Sequence, residues 1–145
     1  MSDKKIRVLF ICVHNSARSQ MAEAFAVQQG KGIIEAESAG FTPTAINPLV
    51  VDVMAEKGLD LSGNTVDSAL EFFREGRLYD YVITVCDESQ AEKCPIFPGI
   101  TARLHWSFPD PSRFEGTRET RLAKVREVRD AVETQVSEWI RGLGV

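Results

Sequence analysis

The stretch Cys12-Val13-His14-Asn15-Ser16-Ala17-Arg18-Ser19 combines a thiol, a guanidinium six positions later and an adjacent hydroxyl. A cysteine thiolate is a strong nucleophile when its surroundings favour the anion. An arginine presents a planar fork of donors that grips two oxygens of one anion, and the Ser19 hydroxyl can donate to a thiolate. These groups together suit attack by sulfur on the central atom of a tetrahedral oxyanion held by Val13, His14, Asn15, Ser16, Ala17, Arg18 and Ser19. The competing reading is a buried core cysteine followed by a solvated arginine, and the flanking segments decide between the two.

Before the loop, Ile6, Val8, Leu9, Phe10 and Ile11 form a β-branched and aromatic run bounded by charges, the pattern of a strand buried on both faces. After it, Met21, Ala22, Ala24, Phe25 and Ala26 alternate with Gln20, Glu23, Gln28 and Gln29 up to Gly30, which predicts a helix of about three turns with a glycine C-cap. A loop between a strand end and a helix start aims backbone N–H groups at one spot, and the helix dipole adds positive potential there. That setting favours the catalytic reading of Cys12.

Further along, Ile33 to Gly40 reads as a second strand. Asn47 offers an N-cap with Pro48 at the first helical position, and Leu49, Val50, Val53 and Met54 make an apolar stripe ending at Lys57-Gly58. A third helical stretch is expected from about Val66 to Phe73. Tyr81-Val82-Ile83-Thr84-Val85 is a third strand that ends, like the first, in a cysteine, Cys86. Ile100 to Trp106 gives a short fourth strand. From about Thr117 to Leu143, Leu122, Val125, Val128, Val132, Val136, Trp139, Ile140 and Leu143 recur at helical spacing, a stripe that belongs to the core. Strands alternating with helices predict an α/β domain of three layers, a four-stranded parallel sheet flanked by helices on both faces. In such a sheet Cys12 and Cys86 share the carboxyl edge, where these folds place their sites.

Composition narrows the classes. With 145 residues, 43% hydrophobic and 26% charged, the expectation is a single domain over residues 1–145 with a sizeable core. A net charge of -4 with scattered Lys and Arg gives no reason to expect nucleic acid. The apolar run after the start is too short for a signal sequence or a membrane span, which predicts a cytoplasmic protein without a membrane partner. Three cysteines, an odd number, argue for redox or catalytic use over a disulfide framework, and the spacing of Cys86 and Cys94 with two His in the chain matches no common zinc pattern. Asp87 to Gly99 is the longest irregular stretch and carries Cys94. If Cys86 to Cys94 were helical, the two residues would lie about 12 Å apart. A disulfide needs Cα atoms within roughly 7 Å. Pairing would therefore require this polar segment to unwind, and the alternative is two unrelated cysteines.

Cys12 to Ser19 resembles the C-x5-R-S loop of low-molecular-weight protein tyrosine phosphatases and of the arsenate reductases that share their fold. Asn15-Ser16 and Arg18-Ser19-Gln20 look most like the reductases, and Cys86 through Glu92-Lys93-Cys94-Pro95 looks like the redox loop of the thioredoxin-coupled ones. The resemblance implies that Cys12 attacks the arsenic of arsenate, Cys86 then attacks Cys12 to release arsenite, and Cys94 attacks Cys86 to leave a disulfide that thioredoxin reduces. Phosphate and sulfate are the implied competing oxyanions. It also implies that Asp110, in Phe108-Pro109-Asp110-Pro111, is the general acid, although Asp-Pro is also ordinary turn chemistry. Ser112 follows where phosphatases usually carry an aromatic, which favours a small inorganic substrate. No tightly bound cofactor is implied. Some reductases hold a potassium ion, and the matching oxygen-bearing positions are Asn15, Glu23, Ser38, Thr65 and Asp67; Asn15 could instead brace the loop. Two features depart from the pattern: His14 replaces a small residue, and seven residues separate Cys86 from Cys94 where relatives have six. The alternative enzyme is a phosphatase of the same fold, and the alternative outside enzymes is an oxyanion or redox sensor.

Overall fold

The computed structural model describes residues 5–12, 17–42, 44–85 and 102–144. Strand β1 (Ile6–Cys12) is followed by helix α1 (Arg18–Gln29), strand β2 (Ile34–Gly40), helices α2 (Pro48–Ala55) and α3 (Ala69–Arg74), and strand β3 (Tyr81–Thr84). Strand β4 (Ala102–His105), a single 3-10 turn at Pro111–Arg113 and the long helix α4 (Arg118–Gly142) complete the order. The four strands pair in the order β2-β1-β3-β4, all parallel.

The central position of β1 explains its composition. Val8 to Ile11 are fully buried because both faces of the strand are covered. Val8, Phe10 and Cys12 enter one cluster with Met21 and Phe25 of α1, Val50, Val53 and Met54 of α2, and the Leu122 to Val136 stripe of α4. Leu9 and Ile11 enter a second cluster with Ala39, Val82, Tyr79 and the α3 residues Ala69 and Phe72. The strand's alternation thus separates two layers of helix, with the sheet between them. Each fully buried Leu, Ile or Phe contributes roughly 1.5–3 kcal/mol of transfer free energy to this arrangement.

Local signals account for the helix starts. The Asn47 side chain accepts from Leu49 N at 2.9 Å, with Pro48 in the first helical position. Thr117 caps α4 by accepting from Thr120 N at 3.1 Å. Near the other end of α4, Trp139 packs edge-on against Phe10 and Tyr81, with ring centroids 6.2 and 5.3 Å apart.

Three expectations are adjusted. Helix α3 begins at Ala69, because Ser68 pairs with Gly40 as a β-bridge and its side chain caps Glu71 N. The described part of the fourth strand is Ala102–His105. Gly30 does close α1, but at φ -101, outside the left-handed region that glycine C-caps usually occupy. Its lack of a side chain has a steric cause: a Cβ there would lie 2.7 Å from Ile34 Cδ1 and 2.9 Å from the Ala26 carbonyl oxygen. Gly30→Ala should therefore lower stability by about 1–3 kcal/mol, the usual cost of overpacking a closed site. A chemical-denaturation midpoint equal to that of the parent protein would contradict this.

Candidate active site

Register brings the ends of the strands to one edge. Cys12 pairs with Gly40 of β2, Ile11 with Thr84 of β3, and Thr84 with His105 of β4. Cys12 is 2% exposed, and its Sγ lies 2.9 Å from the Ser19 Oγ in the first turn of α1. That hydroxyl is placed to donate to a sulfur anion, as the sequence predicts. Helix α1 starts at Arg18 with no side-chain cap from Ala17 and no acidic residue in its own first turn, so nothing within the helix offsets the positive end of its dipole.

Arg18 is 3% exposed despite its charge. Its Nη1 donates to the Phe108 carbonyl at 3.0 Å, and Nη2 lies 3.8 Å from Asp110 Oδ2. The guanidinium is thereby tied to the segment that also carries the candidate acid. Asp110 caps the Pro111–Arg113 turn, its Oδ1 accepting from Ser112 N at 2.9 Å and from Ser112 Oγ at 2.8 Å. The turn reading of the Asp-Pro pair is thus realised through one carboxylate oxygen, while the other faces Arg18. Arg113 Nε also lies 3.8 Å from Oδ2. Partial burial pushes the Asp110 pKa up, but the two Ser112 hydrogen bonds and the charges of Arg18 and Arg113 outweigh it and hold the group below its ordinary value. An oxyanion seated on Arg18 would neutralise that guanidinium and repel a carboxylate beside it, which favours the protonated acid that leaving-group chemistry requires.

Cys12, Arg18, Ser19 and Asp110 are thus brought together; Ala17 precedes α1 directly and is 4% exposed. Val13, His14, Asn15, Ser16, Cys86 and Cys94 lie outside the described residues. A thiol, a buried guanidinium and a carboxyl thus lie at the carboxyl edge of a parallel sheet, an arrangement whose chemistry suits an oxyanion held beside a nucleophile. The family of low molecular weight phosphotyrosine protein phosphatases matches this chain over residues 7–144. An arsenate reductase of Shouchella clausii is 37% identical over 137 residues, covering 94% of this chain and 95% of that protein. The chain belongs to this phosphatase family, among its arsenate reductases.

Solved structures agree. An arsenate reductase in its oxidized state superposes with a TM-score of 0.78 at 31% identity, covering 94% of this chain and 97% of that one. A thioredoxin-dependent arsenate reductase of Corynebacterium glutamicum gives 0.75 at 27% identity, covering 99% of this chain and 64% of that one.

A second polar cluster joins α1, β2 and the segment before α3. Ser38 Oγ donates to Glu23 Oε1 at 2.5 Å, and Thr65 Oγ1 donates to Asp67 Oδ2 at 3.0 Å. Burial pushes the Glu23 pKa up, the Ser38 bond opposes this, and the charges of Asp67 and Glu37 push it further up. The set is all oxygen, with two carboxylates whose charges repel, and its donor chemistry is of the kind hard cations take. Among the described residues no group of three or more His, Cys, Asp or Glu is placed to hold a metal ion.

Gln20, quoted in the Arg18-Ser19-Gln20 resemblance and otherwise read only as a polar residue of α1, has a buried role that sequence reasoning did not assign. It is 1% exposed; its Nε2 donates to the Thr65 carbonyl at 2.9 Å and its Oε1 accepts from Asn64 at 3.1 Å. It ties the first turn of α1 to the segment carrying Thr65 and Asp67. Its position immediately after Ser19 was the available signal. The Phe108 carbonyl was also missed, and no side-chain pattern announces a backbone acceptor.

Proposed function

We propose that this protein is an arsenate reductase that converts arsenate to arsenite with its own thiols and is regenerated by a thioredoxin. The convergence of Cys12, Ser19, Arg18 and Asp110 carries the reading, supported by relatives that are arsenate reductases over nearly the whole chain. Arg18 and the loop hold the oxyanion, and phosphate or sulfate compete for the same cradle. The Cys12 thiolate attacks arsenic; a sulfur–arsenic bond forms, an arsenic–oxygen bond breaks, and Asp110 protonates the departing oxygen to give water. The Cys86 thiolate then attacks Cys12 sulfur. A disulfide forms as the sulfur–arsenic bond breaks, and its electron pair stays on arsenic, which leaves as arsenite. The Cys94 thiolate attacks Cys86, freeing Cys12 and passing the disulfide to the outer pair, which a dithiol reductant reduces. The balance is two thiols oxidised and arsenic reduced by two electrons. This chemistry fits a cytoplasmic setting, where thiols are kept reduced, and no helix among the described residues is long and apolar enough to cross a membrane.

The deciding experiment couples the purified protein to thioredoxin, thioredoxin reductase and NADPH and measures arsenite. Arsenate-dependent NADPH oxidation with matching arsenite supports the reading. Rapid hydrolysis of an aryl phosphate, insensitive to loss of Cys86 and without arsenite formation, would replace it with a phosphatase. Oxyanion binding without turnover would point to a sensor.

The second cluster extends the proposal. Glu23, Ser38, Thr65 and Asp67, with Asn15, would hold a potassium ion, whose charge would steady the back of the oxyanion loop. Potassium at ten times its dissociation constant should then add about 1.4 kcal/mol of stability. The increment should vanish in Glu23→Gln; an equal increment in that variant, read by thermal melting in potassium against choline, would exclude the site.

A further inference from the structure

We infer that Ser112 is a positioning residue that determines which oxygen of Asp110 carries the proton delivered to the departing oxygen. The inference rests on the reading of Asp110 as general acid and adds a residue to it. Asp110 Oδ1 accepts two hydrogen bonds from the same residue, Ser112 N at 2.9 Å and Ser112 Oγ at 2.8 Å. A carboxylate oxygen has two acceptor directions in its plane, and both are taken. A proton placed there would have to displace one of these donors. When Asp110 is neutral its proton therefore resides on Oδ2, the oxygen 3.8 Å from Arg18 Nη2 and so the one beside the oxyanion cradle. The charged groups facing Asp110 are Arg18 from α1 and Arg113 from its own turn. Both approach Oδ2, so neither competes for Oδ1. Ser112 thus does two things: it orients the carboxyl plane and it leaves only the reactive oxygen free to hold the proton.

This role also explains why a small hydroxyl residue follows Asp110-Pro111. Its side chain folds back onto the acid, its hydroxyl 2.8 Å from Asp110 Oδ1.

The test measures the first turnover of arsenite formation at saturating arsenate in five proteins: the parent, Ser112→Ala, Asp110→Asn, the double variant, and Ser112→Thr as the rescue. Ser112 is exposed, so its truncation leaves the core intact. On the plateau below the alkaline limb of the rate profile, Ser112→Ala should slow the step roughly fivefold, the effect of one lost hydrogen bond, with half-saturation by arsenate unchanged. Ser112→Thr should restore the rate. Since hydrogen bonds to the charged form lower a pKa, losing one should raise that of Asp110 and move the alkaline limb of the rate profile to higher pH. In the Asp110→Asn background, Ser112→Ala should cost nothing more. An equal loss in both backgrounds, or a change in half-saturation with the rate preserved, would show that Ser112 acts on the loop as a whole and overturn the inference. Should Asp110→Asn itself leave the first turnover unchanged, the acid reading would fall, and the role of Ser112 with it. The single variants distinguish that failure from the first.

Discussion

Cys12→Ser should abolish arsenite formation while leaving the cradle able to bind oxyanion. The reason is twofold. A serine hydroxyl in place of Cys12 is far less ionised than a thiol and attacks arsenic poorly; loss of the attacking group in a covalent mechanism costs on the order of 10⁴-fold or more. Even an oxygen adduct could not be resolved by a second thiol, because no sulfur would be present to accept the disulfide bond. Binding should persist because it rests on Arg18, the loop and the dipole of α1, and because serine preserves the 2.9 Å approach to Ser19 in kind. Titration with phosphate, followed by calorimetry, checks the second half, and arsenite determination checks the first. Arsenite production at even a hundredth of the parent rate would remove Cys12 from the centre of the reaction.

Cys94→Ser should permit one turnover and stop the cycle. The first two attacks need only Cys12 and Cys86, so one equivalent of arsenite per protein is released in the presence of arsenate. The oxidation then remains as a Cys12–Cys86 disulfide, with its inner sulfur on a residue 2% exposed, where a protein reductant has poor access. The steady-state rate with thioredoxin should fall to the background of the coupled assay, while a single-turnover measurement yields close to one arsenite per chain. Peptide mass analysis of the arsenate-treated variant should find Cys12 joined to Cys86. Unchanged steady-state turnover would refute the relay and leave Cys12 to be resolved by an external thiol.

The strand before and the helix after the Cys12 loop were legible because each is encoded within a few positions: a continuous apolar run for a strand covered on both faces and a glycine where α1 ends; so were Asn47-Pro48 at the start of α2 and a helical stripe through α4. The parallel sheet followed from alternation of these elements, since parallel neighbours need a crossover helix. Errors were confined to ends. Asp67 and Ser68 looked helical by composition, yet Ser68 pairs with Gly40 and the Asp67 carbonyl accepts from Gly40 N, tertiary contacts that outweigh local propensity.

Burial of charged and amide side chains was not legible. Arg129 is 7% exposed in α4, where it donates to the Val53 carbonyl and to Glu56, both at 2.8 Å. Gln20 is buried because the Asn64-Thr65 segment closes over it. Periodicity assigns such residues to an outer face, because it cannot know which distant segment supplies their hydrogen-bond partners.

By itself the sequence determined the candidate inventory: a thiol between strand and helix, a cation of the kind that suits an anion, and two further thiols with seven residues between them. Only the tertiary structure decided how the inventory is aimed. Arg18 reaches the Phe108 carbonyl across 90 positions of chain and meets Asp110 through Oδ2, while Ser112 occupies Oδ1. Residue type sets what a group can do, and is local. Which oxygen faces the substrate depends on where β1 and the segment after β4 are brought by the packing of the whole sheet, which spacing along the chain does not carry.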